Sequence, residues 1–412
     1  MTSSDLKISC DILARKALER TGAWIEKFGS RLAGSPGSRA AGSALEHEFQ
    51  RICGNASLEP FITRPAAFNR FYQVDALLYL AGVLLLLINK PLLAALLFTP
   101  MVLGAGLEFG HYLEVYDWLY PPAECHNVSA VLEPRGTPIR QLIFSGHHDA
   151  AQELKFLVSG QKWYGLKILA PDSFRMLAYL VAWMWWEGQT LTGSTPGFIG
   201  LAKIVLVVGI YFVFTKFFLF TKNISPGAGD NLIASSMLLE LAGYFCDPLH
   251  SGSSNLQNTR LLFVSFDAEE AGLRGSRAWV RVHRAELQAL PTSVLNLDSI
   301  YKFEDLQFLV SDLNNHVKLD RGLAERCVGI AHGLGHPAAT VRMLFGGGAT
   351  DAAELAGAGV RATTMIAMST RLVRDGLVYH TMRDTVDAIE PQAVSACLAV
   401  AQKLALELDR SS

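Results

Sequence analysis

The sequence predicts an α/β fold: a three-layer sandwich around a mostly parallel mixed sheet, carrying two inserted hydrophobic helical hairpins. Three observations lead there. From residue 260 onward, short apolar runs rich in β-branched residues alternate with amphipathic stretches of helical length, the pattern of strands joined by crossover helices. Acidic residues and histidines stand just after several of those runs, where the carboxyl ends of strands in an open α/β sheet gather ligands. Half of the 412 residues are hydrophobic and only 18% are charged, and the apolar excess is concentrated in two blocks.

Residues 8–28 and 36–53 read as helices, separated by the breaker-rich stretch Ser30–Gly37. The first hydrophobic insertion occupies 74–109. Its core, 76–107, is almost wholly apolar and broken at Asn89-Lys90-Pro91; proline cannot continue a helix, so two helices fold into a hairpin. Strands follow at 128–132 and 141–145. The second insertion, 174–221, has an apolar run at 174–186 with Trp183, Trp185 and Trp186, a polar turn at 187–197, and a second run at 198–220 containing Lys203 and Lys216. A helix is expected at about 231–245, a strand at 260–266, a helix at 276–289 and a strand at 293–297. A hairpin-like stretch at 301–311 leads to helix 318–334, strand 339–344, helix 351–358, strand 362–367 and helix 391–409. The two insertions thus interrupt a single domain spanning 1–412.

A formal charge of -2 argues against a nucleic-acid partner and against an acidic tail. Six cysteines without a C-x-x-C pair read as buried reduced thiols. No cleavable signal peptide is expected at the start of the chain, and a reducing, cytosolic setting for the hydrophilic part follows.

Five residues of metal-ligand type lie in five separate motifs. They are His147 in Ser145-Gly146-His147-His148-Asp149, Asp230 in Gly229-Asp230-Asn231, Glu270 in Asp267-Ala268-Glu269-Glu270, Asp298 in Asn296-Leu297-Asp298-Ser299, and His380 in Tyr379-His380-Thr381. Two imidazoles and three carboxylates are what a pair of zinc ions needs if one carboxylate bridges them. Three carboxylates offset three of the four positive charges, and a bound hydroxide offsets the last. Asp149, two residues past His147, can orient that imidazole; on an extended chain His148 points the other way. Of the adjacent acids Glu269 and Glu270, one can bind metal while the other stays free as a proton acceptor.

With these segments in view, the chain resembles the two-zinc aminopeptidases of the bacterial leucyl aminopeptidase, aminopeptidase Y and glutamate carboxypeptidase type. The matching segments are Arg31-Leu32-Ala33-Gly34, Gly146-His147-His148-Asp149, Gly229-Asp230-Asn231, Glu269 through Ser276, Asn296-Leu297-Asp298, and Tyr379 through Thr385. The resemblance implies His147 and Asp298 on one zinc, Glu270 and His380 on the other, Asp230 as the bridge, Glu269 as general base and an orienting role for Asp149. It also implies a cis peptide at Asp230-Asn231 and an exopeptidase acting on peptides with a free N-terminus. Two rivals share this fold: a glutaminyl cyclase-like acyltransferase with one zinc, and a non-catalytic receptor or scaffold. The complete ligand set argues against the scaffold, which typically loses ligands. The Asp230-Asn231 pair and the Gly272–Ser276 run favour the peptidase over the cyclase.

The insertions depart from that family pattern. Four apolar runs with tryptophans and almost no polar face favour membrane hairpins, with Lys90, Arg175, Glu187, Lys203 and Lys216 near run ends or within snorkelling reach of an interface. The alternative cover is a buried hairpin or a homodimer interface. Both hairpins begin and end at the hydrophilic core. Arg64, Arg70, Lys155, Lys162, Lys167, Arg175 and Lys222 flank them there, against Lys90 alone in the far turns. The positive-inside tendency therefore expects a catalytic core on the cytoplasmic face of a lipid bilayer.

Overall fold

The computed structural model describes residues 3–247, 252–344, 346–369 and 376–410, with side chains from Ile8 onward. Its strands are β1 (Ala56–Thr63), β2 (Ala123–Leu132), β3 (Arg140–His147), β4 (Gln152–Leu154), β5 (Phe220–Ile224), β6 (Thr259–Phe266), β7 (Thr292–Ile300), β8 (Leu306–Asp312), β9 (Val317–Lys318), β10 (Ala339–Arg342) and β11 (Arg361–Ala367). Nine of them form one mixed sheet in the order β1-β2-β6-β3-β7-β11-β8-β10, with β9 paired to β8. Its centre, β6-β3-β7-β11, is parallel. Antiparallel pairing appears towards the edges, where β1 joins β2, β2 joins β6 and β8 joins β11.

Period-two alternation sorts the strand side chains onto two helical layers. Leu142, Phe144, Leu261, Phe263, Leu295 and Leu297 pack beneath α1 (Ser3–Phe28), α2 (Pro36–Cys53), α8 (Ile233–Phe245), α10 (Arg321–Gly333) and α12 (Pro391–Arg410). Ile143, Leu262, Val264 and Val294 face α9 (Arg274–Ala289) and α11 (Ala352–Gly357). Each such leucine or phenylalanine removed from water contributes about 1.5–3 kcal/mol. The start of α2 is set locally: Pro36 stands in its first turn and the Ser35 hydroxyl accepts from the Ser38 N–H. All six cysteines are free thiols.

The two insertions combine into one four-helix bundle. α3 (Pro65–Leu87) and α4 (Pro91–Ala105) form the first hairpin; after the single turn α5 (Lys155–Val158), α6 (Tyr164–Thr192) and α7 (Ile199–Phe217) form the second. α3 packs on α4, α4 on α6, α6 on α7 and α7 on α3, which closes a square. Small residues permit it: a Cβ at Gly82 would stand 2.2 Å from the Phe98 ring, and one at Gly209 2.2 Å from the Tyr79 hydroxyl. Tyr79, Phe98 and Trp185 fill the interior, while Leu84, Leu96, Leu103, Leu180, Ile204 and Val208 face outward and exposed.

Several expectations change. Helix begins at Pro65 and Tyr164, well before the apolar blocks at 74–109 and 174–221, because aromatic residues in the first turns root both helices on the sheet domain: Phe68 packs with Leu273, and Tyr164 joins the cluster that holds Tyr379. Arg175 and Lys216 do not snorkel. They turn into the bundle, where Arg175 pairs with Asp75 and, at 2.5 Å, with Asp172, while Lys216 reaches Asp172 at 2.7 Å. Two acids and two bases make a neutral plug at the bundle's sheet-side end, which removes the penalty of isolated charge. The hairpin-like stretch at 301–311 is one strand, β8, preceded by a 3-10 turn. β1 also had no expected counterpart; it is an edge strand containing Pro60, which the pattern of a central strand excludes.

Candidate metal centre

The parallel centre of the sheet brings the ligand-type residues to one edge. His147 is the last residue of β3, paired with Phe266, the last residue of β6. Glu269 and Glu270 follow in the turn before α9, Asp298 lies near the end of β7, and His380 lies in the loop after β11. Asp230 sits in the short irregular turn ahead of α8, with a cis peptide to Asn231.

All five meet. His147 Nε2 lies 3.4 Å from Asp230 Oδ1, and His380 Nε2 lies 3.1 Å from Asp230 Oδ2 and 2.9 Å from Glu270 Oε2. The two Asp230 oxygens therefore address different imidazoles. Ligand atoms of His147, Asp230 and Glu270 lie within 4.8 Å of one another, and so do those of His147, Glu269 and Asp298. Glu269 Oε2 is 3.6 Å from His147 Nε2. These buried nitrogens and oxygens approach without well-aligned hydrogen bonds: His147 Nε2, Asp230 Oδ2, Glu270 Oε1 and His380 Nε2 are all unsatisfied. Buried polar atoms rarely stay so, and a set that converges on the space between its members fits divalent cations held there.

Electrostatics agree with that fit. Burial, and then neighbouring carboxylates, push Glu270 and Asp298 each up to about 8 and lift Glu269 well above the glutamate range, although His147 or His380 opposes the shift in every case. Burial lowers His380, but Glu270 and Asp230 outweigh it and push it up to about 10. Asp230 would also be raised by burial, yet the two imidazoles hold it below the usual range. The pocket thus carries a surplus of negative charge, which bound cations would offset.

A supporting shell fixes the set. Asp149 Oδ1 lies 3.2 Å from His147 Nδ1 and accepts from the Glu269 N–H, while its Oδ2 accepts from the Glu270 N–H, so one carboxylate ties three site residues together. His148 turns away to Ser265 at 2.9 Å, and burial lowers it to about 3. Two further supports act across long sequence separations. Buried Arg31 donates to the carbonyls of His148, Pro226 and Gly227, joining the His147 and Asp230 loops. Asp384 accepts from the Gly229 and Asp230 N–H groups. Arg31 and Asp384 stand inside the motif segments, which was the available signal. Asp351 had none: it is fully buried, and burial pushes its carboxyl up to about 7 against the opposing influence of His147. A cleft of about 960 Å³ lined by Tyr301, Lys302, Leu377 and Tyr379 flanks the site but contains none of the ligand-type residues.

The family model of Peptidase family M28 matches residues 216–405. No curated protein matches the chain. Among solved structures, the Legionella pneumophila aminopeptidase LapA aligns over 100% of this chain and 76% of its own, with 13% identity and a TM-score of 0.54. A Zn-dependent exopeptidase from Parabacteroides distasonis aligns over 97% of this chain and 98% of its own, with 12% identity and a TM-score of 0.54. An Acidobacteriales bacterium glutaminyl cyclase aligns over 96% of this chain and 94% of its own, with 13% identity and a TM-score of 0.55. At these identities the structures speak for the fold alone.

Proposed function

From a chain that carries the M28 metallopeptidase signature over residues 216–405 on an α/β fold shared with zinc exopeptidases, we propose a two-zinc aminopeptidase anchored in a membrane. His147 and Asp298 would hold one ion, Glu270 and His380 the other, with Asp230 shared. The observation that carries the reading is Asp230, whose two oxygens face two different imidazoles at 3.4 and 3.1 Å. Bound zinc supplies a low-pKa water and polarises a carbonyl.

The chain's own residues supply the rest. Glu269 Oε2 lies 3.6 Å from His147 Nε2 and beside Asp298, at the rim of the space between the ligand groups. It takes a proton from the water that adds to the N-terminal peptide carbonyl and delivers it to the departing amine as the C–N bond breaks. Asp149 keeps the His147 ring and the Glu269 and Glu270 backbone in register.

The membrane reading rests on the bundle. α3, the α4 segment running to Gly110, and α7 are each long and apolar enough to cross a bilayer, and their outward leucines are exposed. Contiguous exposed apolar side chains on several long helices are the kind of surface that marks a membrane or partner contact. Basic residues at the sheet-domain ends support a cytoplasmic position for that domain by the positive-inside tendency.

Purified full-length protein, made without chelator, is expected to hold close to two zinc ions and to release N-terminal residues from aminoacyl fluorogenic substrates. One tightly bound ion that survives Asp298→Ala, together with turnover of N-terminal glutamine peptides, would favour the cyclase instead.

A further inference from the structure

Both insertions are rooted against the candidate site. Phe68, in the first turn of α3, lies over Gly272, two residues past Glu270. A Cβ on Gly272, whose φ is +93°, would stand 2.9 Å from the Phe68 ring. Tyr112, in the stretch after α4, meets Phe68 edge-on at 4.7 Å between ring centroids and packs on Leu273. Burial, and then the Glu269 carboxylate, push its phenol well above the tyrosine range. The opposite flank is built the same way. Tyr72 of α3 and Tyr164 at the start of α6 join a cluster that reaches Tyr379, and the Tyr379 ring stacks on the His380 imidazole with centroids 3.7 Å apart. The Gln161 side chain, just ahead of α6, donates to the Leu377 carbonyl at 2.8 Å. The walls beside Glu270 and His380 therefore come from the ends of the apolar helices.

The depth of those walls relative to a bilayer can be read from the tryptophans. Trp163 precedes Tyr164 and is 55% exposed; Trp118 follows Tyr112 by six residues and is 79% exposed. At the other end of α6 stands Trp186, 23 residues beyond Trp163, or about 35 Å along a helix rising 1.5 Å per residue. Hydrocarbon about 30 Å thick fits between them and encloses the mutually paired Asp75, Asp172, Arg175 and Lys216, which turn into the bundle interior; tryptophan prefers the two interfaces. A bilayer around the bundle puts Trp163 among the headgroups, and with it the Tyr164 wall; the apolar span of α3 starts at Pro65, beside Phe68, which meets Tyr112.

We infer that the substrates of this site are peptides held at the bilayer surface, with a free N-terminus that reaches the metal centre within the headgroup layer. The inference rests on both the peptidase and the membrane readings above. A site at that depth is reached by an N-terminus only a few residues from its membrane anchor, whereas a site held out in the cytosol is not.

The test uses zinc-loaded, full-length protein in phosphatidylcholine vesicles. Peptides share one N-terminal sequence and carry a C-terminal palmitoyl anchor after spacers of four or fifteen residues, which span at most about 13 and 50 Å; a version without the anchor is the soluble control. Release of the N-terminal residue is measured as kcat/KM. The four-residue spacer is expected to be cleaved within about threefold of the fifteen-residue one, and at least tenfold better than the soluble peptide. Cleavage of the long-spacer and soluble peptides with none of the short one overturns this inference and leaves the peptidase reading standing. No cleavage of any peptide by zinc-loaded protein overturns the peptidase reading itself, and this inference with it.

Discussion

Arg274→Met tests how the inserted bundle supports the catalytic turn. Arg274 is buried at the start of α9, four residues past Glu270. Its Nε donates to the Ala271 carbonyl at 2.7 Å, which clamps the turn carrying Glu269 and Glu270. Its other nitrogens form a bidentate pair with Asp117 at 2.6 and 2.7 Å and approach Glu108 at 3.5 Å. Glu108 and Asp117 both lie in the segment that returns from the first hairpin. Methionine fills much of the same volume but leaves those two carboxylates without their cation, and breaking a buried pair this way costs about 3–5 kcal/mol. At about 2.1 cal/mol/K per residue, 412 residues have an unfolding entropy near 0.9 kcal/mol/K, so a loss of about 4 kcal/mol lowers Tm by roughly 5 °C. Thermal unfolding in one detergent reads the shift. Turnover should fall as well, because Glu269 loses its clamp. Adding Glu108→Gln and Asp117→Asn to Arg274→Met removes the stranded charges and is expected to return most of the lost Tm without returning the turnover. An Arg274→Met protein melting within 1 °C of wild type, or a triple variant no more stable than the single, would refute the argument.

Three further outcomes are expected. Glu269→Gln should retain both metals and lose about 10²–10⁴-fold in turnover, as removal of a general base does; near-normal activity would make Glu269 a bystander. His283 donates to Glu286 at 2.9 Å and Glu59 at 2.8 Å, which pushes it up to about 9. A raised imidazole pKa adds stability that is complete below about pH 6.5 and lost as pH climbs through 9. The full shift discounted for partial exposure is about 1 kcal/mol, so denaturant midpoints should fall between pH 6 and 9.5, and His283→Gln should flatten the slope. Membranes from expressing cells washed with alkaline carbonate should keep the protein in the pellet; a monodisperse, detergent-free dimer in the supernatant would remove lipid as the cover of the bundle.

How much of this was legible follows from the range over which each signal acts. β6, β7, β10 and β11 and the helices between them showed through because alternation and helical periodicity are local and each element buries a face, whereas β8 reads as part of a hairpin-like stretch and β9 as the start of a helix. β1 did not, since an edge strand with Pro60 and a half-exposed pattern has no period strong enough to read. The bundle was legible as four apolar runs but not as a square, because its closure depends on contacts such as Gly82 against Phe98 and Gly209 against Tyr79, which join residues far apart in sequence. The site divides in the same way. His147, Asp230, Glu270, Asp298 and His380 each stand in a motif a few residues long, which a local reading of the chain can find. The contacts that hold those motifs are not local: Asp384 reaches Gly229 across 155 positions and Arg31 reaches Gly227 across 196. Asp351 carries no local motif, and only the folded chain brings it among the site's charges. Phe68, Tyr112 and Tyr164 stand at the edges of segments whose apolar bulk dominates any window that contains them. The chemistry of this protein is therefore written locally, whereas the walls that decide what reaches it are written in how two distant insertions close on each other.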